Sequence, residues 1–315
     1  MRRAQRNKSD EFWTRLEDVE AELAHYPGAF RGTTVYLNCD DPSSAFWKYF
    51  ADRFAALGLK ELVSTKYPEG LLFRLKTAGG TVEVVELEGD GDFRSPECVE
   101  LLERSDIVVT NPPFSLFREY IGQLMEYGKG FLVLGNVNAI TYKEIWPLIQ
   151  SEQLWLGPSI HSGDRPFMVP DSYPLEGAGC WSDEAGQRWI RVKGVRWFTN
   201  LDHGARHRPL ALSRTYSPED FPKYSNYDAI EVSKVKDIPG DYDGVMGVPI
   251  TFLDKWNPDQ FEIIGDSARL AQPMSASVPP GDTYVKGGPR LYVPVGNGHH
   301  QRKYARILIR RRPQG

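Results

Sequence analysis

A mixed α/β fold, with a mostly parallel sheet covered by helices on both faces, is the architecture this sequence predicts. Three observations carry it. From residue 33 to about residue 150, short runs of β-branched and aromatic residues alternate with stretches whose apolar residues recur at helical spacing. Runs such as 106–110 (DIVVT) and 130–135 (GFLVLG) are almost continuously apolar, the mark of strands buried on both faces. The chain of 315 residues is 41% hydrophobic, enough to bury a large core as one extended domain or as one domain with an appended lobe.

Residues 33–38 (TTVYLN) form the first expected strand, running into the acidic turn Cys39-Asp40-Asp41-Pro42. Ser43 is the expected N-cap of a helix in which Phe46, Phe50, Phe54 and Leu57 repeat until Gly58 ends the pattern. A second strand follows over 60–65, then a hairpin insertion of 71–75 and 81–87 around Gly79-Gly80. Ser95-Pro96-Glu97 opens the next helix with a capping hydroxyl, a proline at the first position and an acid in the first turn. The strand 106–110 leads directly into Asn111-Pro112-Pro113-Phe114 and a helix marked by Phe117, Tyr120, Ile121 and Leu124. The strand 130–135 precedes a helix marked by Tyr142, Ile145, Trp146 and Ile149. Beyond residue 150 the texture shifts to short aromatic strands such as 196–199 (RWFT) with many Gly and Pro. The stretch 271–297 reads as a mobile loop rather than a packed element.

Several function classes lack support. No stretch approaches 18 consecutive apolar residues, and the chain opens on charged residues instead of an apolar signal region, so a cytoplasmic protein without membrane attachment is expected. Cys39, Cys98 and Cys180 are odd in number and far apart, which suggests neither a disulfide framework nor a zinc site. The six histidines include no HExxH spacing, so no metal is expected. The net charge of -4 argues against a uniformly basic nucleic-acid coat. Basic residues instead gather at the ends: Arg2, Arg3, Arg6 and Lys8, and then Arg302, Lys303, Arg306, Arg310, Arg311 and Arg312.

The chemistry concentrates at Asn111-Pro112-Pro113-Phe114, at the carboxyl end of an expected strand, where open α/β sheets form their ligand crevice. A bare Asn-Pro-Pro turn can be merely a stiff connection. It also suits methylation of an exocyclic amine, whose lone pair is delocalised into the base and must be freed. The Asn111 side-chain oxygen and the Pro112 backbone carbonyl would accept the two amine hydrogens, and the prolines fix φ so that both acceptors are pre-set. Phe114 offers a flat face to a base turned out of its helix. No acid, base or metal is needed when the donor is a sulfonium.

The pattern of Asp106, Ile107 and Asn111 to Phe114 resembles motif IV of the S-adenosylmethionine-dependent amino-methyltransferases. The longer run 106–120 (DIVVTNPPFSLFREY) is similar to the EcoRI-type adenine-specific DNA methyltransferase family. The similarity extends to 8–14 (KSDEFWT), 35–42 (VYLNCDDP), 89–95 (GDGDFRS), 136–144 (NVNAITYKE) and 241–253 (DYDGVMGVPITFL), is weaker over 156–223, and is not seen after 266. It implies a Rossmann-like class I methyltransferase with a mostly parallel seven-stranded sheet and loop-rich C-terminal additions. The implied division is 1–30 as a basic arm and cofactor-covering segment, 31–265 as the methyltransferase domain with a strand-rich insertion at about 156–223, and 266–315 as a Pro/Gly-rich loop and basic C-terminal strand.

The resemblance further implies S-adenosylmethionine as cofactor and N6 of a flipped-out adenine in double-stranded DNA as substrate, in a restriction-modification setting. Asn111, Pro112, Pro113 and Phe114 match the catalytic motif. Asn38, Asp40 and Asp41 stand where motif I lies, without its usual glycine-rich loop, and their carboxylates suit a cationic cofactor. Asp92 and Phe93 resemble the pair that holds the cofactor adenine. Asp10, Phe12 and Thr14 lie in the segment that covers the methionine end, with Trp13 where Tyr is commoner. Glu69 is a candidate for the ribose-binding acid, but residues 64–67 (STKY) give no convincing match to that motif, and the acid stays unassigned. Methylation of an RNA base or of a protein glutamine uses the same motif chemistry, and a binding module without turnover would be expected to have lost Asn111 or the acidic turn. Cytosine C5 methylation needs a nucleophilic cysteine normally preceded by Pro, whereas Cys98 follows Glu97. No sequence feature fixes the oligomeric state.

Overall fold

The run 33–38 does form a strand, and its residues Thr34–Asn38 are buried along the whole length, as a strand between two helical layers must be. The structure, a computed structural model, describes residues 12–38, 40–161, 163–171, 173, 175, 179–271, 290–296 and 299–313. The chain divides into two compact units, Met1–His203 and Gly204–Gly315.

The first unit holds strands β1 (Thr34–Asn38), β2 (Glu61–Lys66), β3 (Leu71–Leu75), β4 (Glu83–Glu86), β5 (Ile107–Thr110), β6 (Gly130–Asn136), β7 (Trp155–Leu156), β8 (Asp164–Met168), β9 (Cys180–Ser182), β10 (Arg188–Lys193) and β11 (Val195–Thr199). Eight of them make one sheet in the order β4-β3-β2-β1-β5-β6-β11-β7. The central strands β2, β1, β5 and β6 are parallel, and β3 and β11 run against their neighbours. The sheet has eight strands against the implied seven, and two of them, β3 and β4, come from the hairpin at 71–87, expected as an insertion, which joins the sheet beside β2. Strands β8, β10 and β9 form a separate antiparallel sheet.

Helices follow the predicted periods. The sequence 45–57 gives α2 (Ala45–Asp52) and α3 (Phe54–Leu57), after α1 (Leu16–Leu23), and Gly58 ends α3 in the left-handed conformation at φ 66°. The cap is Ser44 rather than Ser43. The Ser44 hydroxyl accepts the Trp47 N–H at 3.1 Å, while Ser43 is drawn to Asp41, which accepts its N–H at 2.7 Å. Ser95 caps α4 (Pro96–Arg104) as expected. The prolines delay α5 (Phe117–Glu126), which starts only after a 3₁₀ turn at Phe114–Leu116 and buries Phe117, Tyr120, Ile121 and Leu124. The next helix is short, α6 (Trp146–Gln150): Tyr142 is still extended after the 3₁₀ turn at Val137–Thr141, and Pro147 stands in the first turn of α6. The strand order reverses at β1, with β2 on one side and β5 on the other, so the ligand crevice belongs at the carboxyl ends of β1 and β5.

The second unit contains β12 (Ile230–Glu231), β13 (Met246–Pro249), β14 (Phe261–Asp266), α7 (Ser267–Leu270), β15 (Tyr292–Gly296), β16 (His299–Arg302) and β17 (Arg306–Arg311). Its four-stranded sheet runs β12-β13-β17-β14. Thus β13 and β14, expected within a domain ending at 265, pair with the C-terminal strand. The basic C-terminal run is built into this unit rather than left as a solvated tail. Arg306 is 8% exposed and reaches Glu231, itself 3% exposed, at 2.6 Å. Arg310 pairs with Glu262 at 3.2 Å, Arg311 donates to the Gly240 carbonyl, and Arg312 donates to the Pro258 carbonyl at 2.7 Å. The other basic cluster, Arg2 to Lys8, and most of the Pro/Gly-rich stretch lie outside the described residues. No helix among the described residues is long and apolar enough to cross a membrane.

Candidate active site

Two parallel strands deliver the site. β1 ends at Asn38, 3% exposed, just before the acidic turn, and β5 ends at Thr110, 1% exposed, just before Asn111. The Thr110 hydroxyl joins them: Oγ1 lies 2.6 Å from the Asn38 carbonyl oxygen and 2.8 Å from Asp40 Oδ2. A hydroxyl has one proton to donate, so both contacts are fully satisfied only when Asp40 carries a proton of its own. Burial pushes the Asp40 carboxyl up to about 7, against hydrogen bonds from Thr110 and Ser44 and with repulsion from Asp41 adding to the rise. The Asp40 backbone carbonyl accepts the Ser64 hydroxyl, which ties the turn to β2.

Asp41 differs from its neighbour. Its partial burial would raise it, but Ser43 and the Lys66 ammonium, 3.1 Å away, hold it below the usual carboxylate range. Its charge is already matched within the protein. Asp40 meets no such cation among the described residues, and burial sets its raised pKa.

At the motif, the Asn111 amide nitrogen lies 2.8 Å from the Phe12 carbonyl oxygen. A carbonyl only accepts, so the NH₂ end of the amide must face Phe12 and the orientation of the group is fixed chemically. Asn111 Oδ1 points the other way, buried and without a hydrogen-bond partner among the described residues. Pro112 is buried, and the Pro113 carbonyl accepts the Leu116 N–H at 2.9 Å, closing the 3₁₀ turn that presents Phe114.

Residues 12–14 cross this loop. The Phe12 ring meets Phe114 edge-on at 5.9 Å and packs on Phe167 at 5.7 Å. Trp13 exchanges two backbone hydrogen bonds with Met168, at 2.9 and 3.2 Å. Thr14 is 5% exposed and its hydroxyl likewise has no hydrogen-bond partner among the described residues. Sequence analysis assigned this segment to the cofactor and missed its contact with Asn111. That contact runs through a backbone carbonyl, which leaves no residue signature. The linking role of Thr110 also went unread, although a hydroxyl at the last strand position before the motif was its visible sign.

Asp92 and Phe93 occupy a tight turn. Gly91 takes φ 84°, with the Lys66 carbonyl oxygen 2.7 Å from where a Cβ would stand. Asp92 receives two hydrogen bonds from the Arg94 guanidinium, at 2.8 and 2.6 Å, and a third from the Arg94 backbone N–H at 2.9 Å, which hold its carboxyl low. The Phe93 ring is only 3% exposed and packs edge-on against Tyr120 at 5.0 Å, so it is a core residue here and not an open stacking face. Glu69 is half-exposed, 3.7 Å from Lys66. Asp10 lies outside the described residues. Cys98 is buried as a free thiol, and no group of three or more His, Cys, Asp or Glu fit to hold a metal occurs among the described residues.

The model of the family described as "Adenine-specific methyltransferase EcoRI" matches residues 1–312, including the Pro/Gly-rich stretch where no resemblance was seen. The chain is 48% identical over 286 residues to "Type II methyltransferase M.EcoRI" of Escherichia coli, covering 84% of this chain and 88% of that protein. It is 41% identical over 317 residues to "Type II methyltransferase M.MpnI" of Mycoplasma pneumoniae, covering 98% and 97%. With "Type II methyltransferase M.MgeORF184P" of Mycoplasma genitalium it shares 34% identity over 316 residues, 98% of each. No solved structure matches. The chain belongs to the EcoRI family of adenine-specific methyltransferases and is an enzyme of that class.

Proposed function

We propose that this enzyme methylates N6 of adenine in double-stranded DNA, acting in the cytoplasm on a base turned out of the duplex, with S-adenosylmethionine as methyl donor. The observation that carries the proposal is Asn111: its NH₂ end is held by the Phe12 carbonyl and its Oδ1 is buried without a hydrogen-bond partner among the described residues. Leaving a buried acceptor unsatisfied costs on the order of 1–3 kcal/mol, a cost a protein sustains where a ligand supplies the missing donor. An exocyclic amine is such a donor.

The residues fit a cationic cofactor. Asp40 would take its amino group, because it is the acid of the turn whose charge no cation balances among the described residues. The Thr14 hydroxyl would bond the methionine end, Asp10 is proposed for the same end on the family resemblance alone, and Asn38 and Asp41 would shape the turn. Asp92 would share its carboxylate between Arg94 and the cofactor's adenine, with Phe93 supporting from the core. When bound, S-adenosylmethionine supplies an electrophilic methyl group on a sulfonium.

The protein's own part is then positioning. Asn111 Oδ1 accepts one N6 hydrogen and the Pro112 carbonyl the other, which turns the nitrogen lone pair out of conjugation. Both acceptors would stabilise the positive charge that methyl transfer places on N6, and water would take the displaced proton. Because Asn111 is already oriented, little reorganisation remains at the moment of reaction. Phe114 holds the flat face of the base, worth about 1–3 kcal/mol. The test is transfer of tritiated methyl from S-adenosylmethionine to duplex DNA, structured RNA and total protein in parallel, with nucleoside analysis of the product. N6-methyladenine in DNA alone is expected; label in RNA or protein would overturn the substrate assignment.

A further inference from the structure

The β8-β10-β9 sheet has two unlike faces. On one, Phe167 and Ile190 lie directly opposite each other and pack into the apolar core of the first unit. On the other, residues directly opposite in antiparallel pairs again share a side. Met168 pairs with Trp189, Trp189 pairs with Trp181, and the bridge between Trp13 and Met168 extends the row by one chain segment. Trp13, Met168, Trp189 and Trp181 therefore form a line across four neighbouring segments, about 14 Å long at the usual strand spacing. The Trp181 and Trp189 rings are stacked, with centroids 6.0 Å apart and planes 9° from parallel, and Trp13 is 51% exposed.

Cations flank the row. Arg191 sets its guanidinium over Trp181 at 5.5 Å, and both Arg191 and Lys193 are exposed. Of the nearby acids, Asp164 lies across from Lys193, and Asp183 is committed to the Trp189 ring N–H at 2.8 Å and to the Ala185 and Gln187 amides.

We propose that this row is part of the DNA-binding surface. Its rings contact base faces and deoxyribose edges opened beside the flipped adenine, and Arg191 and Lys193 take adjacent phosphates. The inference rests on the DNA methylation proposed above. A lone protein gains nothing by holding a tryptophan half in water beside its catalytic loop, and distorted duplex DNA offers planar apolar surface for the Trp13 ring and anionic oxygen for Arg191 and Lys193. Continuity with the site fixes the occupant. Trp13 directly follows Phe12, whose carbonyl holds Asn111, so the row begins about 3.8 Å along the chain from the residue that orients the catalytic amide.

The test uses the full chain and two variants, Trp13→Ala and the double variant Arg191→Ala with Lys193→Ala. Fluorescence anisotropy with duplex DNA over a salt series is run beside cofactor binding, methyl transfer and thermal unfolding. Trp13→Ala is expected to weaken DNA binding about tenfold with an unchanged salt slope. The double variant, which changes only exposed side chains, is expected to flatten the slope of log K against log salt by about 1.8, at about 0.9 per phosphate contact. The double variant keeps cofactor affinity within about twofold. Unchanged DNA affinity and slope in both variants, while the unaltered enzyme methylates DNA, would overturn this surface alone. Failure of the unaltered enzyme to methylate DNA would overturn it together with the function on which it rests. Should Trp13→Ala lower the unfolding temperature, the double variant decides.

Discussion

Asp40 gives the sharpest test of how the site recognises its cofactor. Its carboxyl is pushed up to about 7 by burial and is bonded to Thr110, with no cation beside it among the described residues. Binding the cofactor's ammonium requires the carboxylate, so affinity should climb as pH rises toward 7. At pH 5.5 only about 3% of Asp40 is ionised, which lowers affinity up to about 30-fold. Above about pH 8 the cofactor's own α-amino group loses its charge, so affinity should peak between about 7 and 8. Asp40→Asn keeps the shape and removes the charge. A hydrogen bond to a charged group is worth about 1.5–3 kcal/mol, so at pH 7.5 this variant should bind about 10- to 150-fold more weakly, and its rising limb should vanish. The assay is calorimetric titration of S-adenosylmethionine from pH 5.5 to 8.5. Stability moves in the opposite sense. An acid whose folded-state pKa is raised contributes fully below its unfolded value, near 4, and that stability is lost as pH climbs toward 7. Asp40→Asn should therefore raise the unfolding temperature of the cofactor-free protein at pH 8 and leave it unchanged at pH 4. Affinity that is flat from pH 5.5 to 7, or a variant within threefold at pH 7.5, would refute the reasoning.

Three further outcomes are expected. Phe12→Ala removes the ring that packs on Phe114 and Phe167 while keeping the carbonyl that meets Asn111; kcat should fall about tenfold with little change in KM for DNA, measured by steady-state methyl transfer. Arg306→Ala leaves Glu231 buried without its guanidinium. Burial alone would raise the Glu231 carboxyl, but Arg306 and Tyr224 hold it below the usual range, so the variant should lose about 3–5 kcal/mol in urea unfolding at pH 7, and less as pH falls through the folded-state pKa. Gly91→Ala forces a Cβ onto the Lys66 carbonyl at φ 84°, and should cost about 1–3 kcal/mol in the same assay.

Much of this was legible in the sequence for physical reasons that can be named. Strands buried on both faces are nearly continuous apolar runs, so β1, β5 and β6 stood out, and the β5-to-Asn111 junction located the crevice. Capping at Ser95 and the stop at Gly58 were readable because each depends on one residue's chemistry. Pairing partners were harder, since strand neighbours are set by long-range packing: nothing local shows that 306–311 lies between β13 and β14, or that the 71–87 hairpin joins the main sheet. Within the site, motif residues could be read by type. The Phe12 carbonyl and the split between Asp40 and Asp41 could not, because a backbone contact has no residue signature and two adjacent aspartates differ only in what folds around them.

On the proposed function, Asn111 acts by holding the target amine, not the cofactor. This role is tested most directly by the single-turnover rate of Asn111→Ala with duplex DNA and saturating S-adenosylmethionine. Removing one pre-oriented acceptor should slow the step by about 10²–10³-fold while cofactor affinity stays within about twofold. Transfer within tenfold of the unaltered rate, or loss of cofactor binding in step with the rate, would contradict it.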